Sequence, residues 1–265
     1  MGSDKLLSNV NATGFPLQIK VANLISDTSD KHDWKVIYQE YSWRNEYAEQ
    51  SGFIDIVIED INRTSLMVLE CKRVQDTAWT FLVPQNQKAN RLLVKSWIKP
   101  INQFKKPGWF DIEATPETYE SAFCVVPGEK RRSSPMVEDI ASKCAASTEA
   151  LGMEDIELNN DPDLLRIFYN VIVTTARLNV CRYNVDNINL KDGILENADF
   201  EEVPYVRFRK QFSTDLHYYH MDDRSGDSIS KSKENTVFIV NSDSLIEFLT
   251  AFIPGDTMLK MLGVV

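Results

Sequence analysis

The chain is short of cysteine, of long apolar runs and of positive charge, and each shortage closes off a class of protein. Its four cysteines, Cys71, Cys124, Cys144 and Cys181, stand far apart and form no Cys-x-x-Cys pair. That spacing argues against a zinc ribbon or a disulfide scaffold and predicts reduced core thiols in a cytoplasmic protein. No stretch approaches the roughly 20 apolar residues that a bilayer crossing needs, so no membrane partner is expected. Met1 to Thr13 is polar and lacks the apolar segment of a secretory leader. A glycine-rich phosphate loop and a Gly-x-Ser-x-Gly turn are both missing, which leaves nucleotide hydrolysis and serine-hydrolase chemistry without support. Internal repeats and low-complexity tracts are absent as well.

Net charge is −10 over 265 residues, a balance that does not favour indiscriminate binding to nucleic acid. The cations are nevertheless unevenly placed. Between Arg73 and Trp109 stand Lys88, Arg91, Lys95, Lys99, Lys105 and Lys106 against one acid, Asp76, and smaller clusters occur at Lys130-Arg131-Arg132 and Arg207-Arg209-Lys210. If a polyanion is bound, Lys88, Arg91, Lys95, Lys105, Lys106, Arg131 and Arg207 are the expected phosphate contacts, with Trp97 and Trp109 available to stack on bases. The plainer readings are a solvated helix face over 88–109 with its aromatics in the core, and a charge-guarded edge strand at 207–210. His217 and His220, beside Asp222 and Asp223, read as a surface turn rather than a second metal site.

Apolar spacing at positions 17, 21, 24 and 25 predicts a helix over 15–26, with Pro16 in its first turn. Alternation and β-branched or aromatic content predict strands at 33–43, 53–60 and 66–74, joined by a polar loop at 44–52 and a turn at 62–65. The segment 75–120 is irregular, with a helix expected over 87–98 that Pro100 ends. A short strand at 121–127, a helix over 134–152 stopped by Gly152, and a β-rich stretch over 164–183 follow. Beyond Asn184 the pattern predicts a turn at Asp192-Gly193, strands at 203–212 and 236–242, a polar loop at 222–235 and a short helix at 244–253.

Within this frame, "GFIDIVIED…LMVLECKRV" sets charges where a core strand has none. Glu70 and Lys72 lie two apart on the third strand and so share a face, while Cys71 points the other way. Burying a carboxylate and an ammonium costs several kcal/mol each, and the pair alone only partly offsets that cost. Asp55, on the second strand, is placed by hairpin pairing beside Glu70. Two adjacent carboxylates repel unless a cation separates them. Mg²⁺, or Mn²⁺ in its place, takes one or two carboxylates and keeps several waters, and it activates water and polarises phosphoryl oxygens. Lys72 is then suited to orient the water or to stabilise developing negative charge. The plain alternative is a structural ion cluster at a sheet edge.

An acid on strand two followed by acid-x-Lys on strand three resembles the PD-(D/E)XK nuclease superfamily: Asp55 matches the first acid and Glu70-Cys71-Lys72 the second element. The likeness is tight from Phe15 to Val74, looser to Tyr183 and absent beyond. Ile54 stands where many members have proline, and about 45 residues are inserted before the second helix. The resemblance implies an α/β fold of restriction-endonuclease-like type, an open mixed sheet flanked by helices with an α-β-β-β-α-β core. On this view residues 1–183 form the core, with an insertion at about 75–120, and 184–265 a C-terminal elaboration.

The resemblance also implies Mg²⁺-dependent hydrolysis of phosphodiester bonds, with DNA the expected substrate. Asp55, Glu70 and the Cys71 carbonyl would hold the metal, and Lys72 would position the attacking water. Members often carry a further upstream acid or glutamine, for which Glu40 is the favoured candidate and Gln18 the other. The rival expectation is a non-cleaving or partner-gated subunit of a defence or repair complex, acting as a homodimer or with another protein.

Overall fold

The computed structural model describes residues 3–45, 49–86, 90–99, 107–128, 135–159, 161, 164–212, 231 and 233–255, with backbone alone at 90 and 91. Three helices open the chain: α1 (Ser3–Asn11), α2 (Phe15–Asp27) and α3 (Ser29–His32). A run of seven strands follows: β1 (Trp34–Asn45), β2 (Gln50–Asp60), β3 (Ser65–Lys72), β4 (Ala78–Pro84), β5 (Asn90–Lys99), β6 (Gly108–Ser121) and β7 (Cys124–Val125). The long helix α4 (Met136–Leu158) leads into β8 (Arg166–Thr174), β9 (Arg177–Tyr183), β10 (Asp199–Glu202), β11 (Tyr205–Lys210) and β12 (Asn235–Asn241), and α5 (Leu245–Ala251) follows.

Helix α2 forms where its apolar spacing predicts, burying Val21, Ala22 and Ile25 together with Gln18. Strands β1, β2 and β3 make an antiparallel meander whose first hairpin is longer than expected, since Trp43 still pairs with Gly52 and Asn45 with Gln50. Strand β8, buried along its whole length, runs parallel to β3 on one side and to β12 on the other. The main sheet has the order β1-β2-β3-β8-β12-β11-β6-β5, and a second sheet has the order β10-β9-β4-β7.

The open restriction-endonuclease-like α/β sheet expected from the motif is not what the chain builds. Among the described residues strand exceeds helix, 47% against about 30%, and five strands close into a barrel. Closure comes from β5, whose Trp97, Ile98 and Lys99 pair back onto Phe168, Ile167 and Arg166 at the start of β8. The ring β8-β12-β11-β6-β5 therefore draws on the segment read as an insertion and on the C-terminal segment together.

The 87–98 region is the specific error, because it holds strand β5 and not a helix. Lys95 and Lys99 imitate the polar face of a helix, yet both are buried, one ammonium on Asp111 and the other on the Asn159 carbonyl. Helix α4 also runs past Gly152, its expected stop. Gly152 is instead a contact point, since a Cβ there would lie 2.5 Å from the Trp97 indole. The 164–183 stretch divides into β8 and β9 at a turn in which Thr174 Oγ1 accepts the Ala176 N–H at 3.1 Å. The strand expected over 121–127 is the end of β6 followed by the two-residue β7.

Three cores hold these layers. One packs α2, α5 and Trp34 against β2, β3, β8 and β12, with Phe238, Phe248 and Phe252 in mutual ring contact. A second joins the smaller sheet, through Trp79, Phe81 and Val180, to the start of α4 and to β11 and β12. The third lies between α4 and β1–β3, with Trp97 and Phe168 edge to face at 5.3 Å. Among the described residues no helix is long and apolar enough to cross a membrane.

Candidate functional site

The backbone ladder between β2 and β3 runs from Glu59–Leu66 to Ile56–Leu69 and stops there. One step further stand Asp55 and Glu70. Asp55 takes over from the ladder with its side chain, Oδ2 accepting the Cys71 N–H at 2.7 Å. On its other side β1 passes, and Glu40 occupies the step between the Gln39–Ile56 and Tyr41–Ile54 pairs, opposite Asp55. Glu40 has φ of 51°, a left-handed backbone conformation that a non-glycine residue rarely takes within a strand. Helix α2 supplies the fourth member. Buried Gln18 donates from Nε2 to the Glu40 carboxylate and, at 3.2 Å, to the Asp55 carbonyl. The expected neighbourhood of Asp55, Glu70 and Glu40 is thus assembled, and Gln18 joins Glu40 rather than replacing it.

Electrostatics mark the two carboxylates on the strands as uncomfortable. Burial, opposed by the Cys71 N–H and reinforced by the Glu40 charge, pushes the Asp55 carboxyl up to about 6. Burial and then the Asp55 charge push Glu70 up to about 7, against the downward pull of Lys72 and Lys143. The Cys71 thiol, next to Glu70 in sequence, is driven well above its ordinary value by burial and by the same two carboxylates. It is filler on the core side and no nucleophile. A pair of acids whose carboxyls are both pushed up toward neutrality is a site that a cation would relieve.

Carboxylate and carbonyl oxygens are the donor types that a hard divalent cation takes. Among the described residues no group of three or more His, Cys, Asp or Glu side chains forms a metal cage. What stands here is two carboxylates and the Cys71 backbone carbonyl, the sparse oxygen set that Mg²⁺ accepts while keeping its waters. The Cys71 carbonyl lies under the α1–α2 junction, 4.0 Å from where a Cβ on Gly14 would stand.

An open cleft of about 660 Å³ runs from Glu70 to the near face of α4, walled by Trp43, Phe53, Ser142 and Lys143. Trp43 can lie along the wall because Gly52 faces it, where a Cβ would stand 3.3 Å from the indole nitrogen. Sequence reasoning passed over Lys143. Its signal was the spacing of Asp139, Lys143 and Ser147, four apart on one face of a helix, all three lining this cleft.

The expected phosphate contacts fare differently. Lys95 is buried and bonds Asp111 at 3.0 Å, inside the fold rather than on a phosphate-binding face. Arg207 is fully buried, donating from Nη2 to the carbonyls of Ala114 at 2.6 Å and Pro116 at 2.8 Å beneath the Phe238 ring. Burial pulls its guanidinium down to about 10. Neither can meet a polyanion without unfolding β5 or β11. Lys88, Lys105, Lys106 and Arg131 lie outside the described residues, as do the Arg91 side chain and the His217/His220 pair. Trp97 and Trp109 are core residues. No family model, curated protein or solved structure matches the chain.

Proposed function

We propose that the protein is a metal-dependent nuclease that hydrolyses phosphodiester bonds, with DNA as its substrate. The observation that carries this reading is the convergence of Asp55, Glu70 and Glu40, from three strands, within electrostatic reach of Lys72, with Glu70 lining a cleft. The reading keeps the acid and acid-x-Lys chemistry of the PD-(D/E)XK motif and does without that family's open sheet. Asp55 and Glu70, with the Cys71 carbonyl, hold Mg²⁺ or Mn²⁺. A bound ion of this kind supplies Lewis acidity toward a phosphoryl oxygen and acidifies water. Lys72 orients the attacking water and offsets charge gathering on the phosphate. Gln18 fixes the Glu40 carboxylate by hydrogen bond, and Glu40 holds a further water. Partial burial lowers the dielectric around Asp55 and Glu70 and so strengthens their fields toward a bound cation.

The test is Mg²⁺-dependent cleavage of plasmid and linear DNA by wild type, Asp55→Ala and Lys72→Ala. Wild-type cleavage reduced at least a hundredfold in both variants is the expected result. Equal cleavage by all three proteins sinks the proposal.

A partner-gated subunit is the second reading, favoured by the net charge of −10 and by the internal engagement of Lys95 and Arg207. It predicts Mg²⁺ binding that depends on Asp55 and Glu70 with no cleavage by the isolated chain. Four free cysteines accord with a reducing, cytoplasmic setting for either reading.

A further inference from the structure

The strand that carries Asp55 also carries Phe53, two residues earlier. Phe53 is 64% exposed. A single exposed phenylalanine is ordinary on a protein surface; its position here is not. Phe53 and Glu70 wall the same cleft, with Lys143 and Ser142 opposite on α4. An uncovered aromatic face, a cation and the catalytic carboxylate thus border one concavity. At about 660 Å³ that space is of the size that takes a small-molecule ligand, which suits one or two nucleotides.

The cations narrow the substrate further. A protein that tracks duplex DNA makes on the order of six to ten phosphate contacts. Among the described residues, Lys95, Arg166, Arg207, Arg209 and Lys210 are engaged with carboxylates or carbonyls of the fold. The cations whose charge reaches Glu70 are Lys72 and Lys143. At the Glu70 end of the cleft these two cations offer few phosphate contacts, so stacking on Phe53 is what would add affinity there. Stacking of a base on an aromatic ring contributes about 1–3 kcal/mol and is open to any base. A paired base, stacked on its neighbours, has no free face to offer.

We propose that the cleft binds single-stranded DNA, with an unpaired base stacked on Phe53 and the adjoining phosphate on Lys143. The proposal rests on the nuclease reading of the Asp55/Glu70 site and assigns its substrate class. The cleft then threads a strand past Glu70 and admits a duplex only where its strands have parted, at a frayed end or at an unpaired stretch such as a negatively supercoiled plasmid exposes.

The test measures fluorescence anisotropy of a labelled oligo-dT strand, an oligo-rU strand and a blunt duplex of equal length. Full-length protein is used, with Ca²⁺ in place of Mg²⁺. Oligo-dT is expected to bind at least about tenfold more tightly than the duplex. Phe53→Ala should weaken it roughly five- to hundredfold, the range that a lost stack implies, while Phe53→Trp retains it. Lys143→Ala should lower the slope of log affinity against log salt by about 0.7, one phosphate contact to a single strand. Duplex binding as tight as oligo-dT, or a Phe53→Ala protein that binds like wild type, overturns the proposal. Tighter binding of oligo-rU overturns the assignment to DNA. Plasmid cleavage that persists while Phe53 proves irrelevant rejects the strand preference alone. Phe53-dependent binding by a protein that cleaves nothing rejects the nuclease reading alone.

Discussion

At the scale of residues, Asp55 and Glu70 turn a metal-site hypothesis into a thermodynamic one. Their carboxyls sit at about 6 and about 7, above their ordinary values. The native state therefore holds more protons than the unfolded state between the ordinary carboxylate range and pH 7. By linkage, metal-free stability falls as pH rises through that window and stays low above it. Glu70→Gln removes the ionisation while keeping the shape. In EDTA at pH 8 it should be more stable than wild type by about 1–3 kcal/mol, and at pH 5 the difference should shrink toward zero. Urea denaturation at the two pH values reads both numbers, and a variant less stable than wild type at pH 8 contradicts the argument. Adding Mg²⁺ should then stabilise wild type and leave Glu70→Gln unmoved, because only the ionised pair can hold the cation. The same protons compete with the metal. Cleavage should thus decline as pH falls through about 7 and then about 6, with the order in protons approaching two.

At the scale of elements, what was legible followed from short-range geometry. Alternation located β2 and β3, the two-residue period put Glu70 and Lys72 on one face, and hairpin pairing set Asp55 beside Glu70. The left-handed turn of the backbone at Glu40 left no mark in the sequence, because nothing local asks for it. Lys143 was passed over for another reason: its spacing with Asp139 and Ser147 marks a helix face, but α4 reaches the cleft only through tertiary packing over β1–β3. Strand β5 was misread because buried lysines with dedicated partners look like solvent-facing ones, and sequence does not reveal the partner. Gly152 was misread as a stop because glycine weakens a helix interior, whereas here it makes room for Trp97. That difference is testable. An end-of-helix glycine resists alanine through its left-handed backbone, whereas Gly152→Ala drives a methyl to within 2.5 Å of the indole. We expect it to cost about 1–3 kcal/mol by chemical denaturation despite alanine's better helix propensity. A gain in stability would show that α4 can shift away from β5.

At the scale of the whole molecule, the barrel closes at one fork. Ile167 of β8 is registered with Ser65 of β3 on one side and with Ile98 of β5 on the other, so meander and barrel share a single strand start. The residue before it, Arg166, ties the surrounding parts together. Its guanidinium bonds Glu59 on β2, the Arg63 carbonyl in the β2–β3 turn at 2.9 Å, and Asp155 on α4 at 3.2 Å. Arg166 is 4% exposed and Asp155 8%, so removing the arginine leaves buried carboxylate without its counter-charge. Breaking a buried pair from one side costs about 3–5 kcal/mol, much more than a surface ion pair is worth. Arg166→Ala should therefore lose about that much stability, and Arg166→Lys should recover only part of it, because an ammonium cannot reproduce the forked contacts. The fork lies at the Ser65 end of β3, while Glu70 and Lys72 lie at the other. Under conditions where Arg166→Ala remains folded, as judged by circular dichroism, its Mg²⁺ affinity measured by calorimetry should match wild type. A large drop in affinity in the folded variant would mean that closure of the barrel itself holds Asp55 and Glu70 in register.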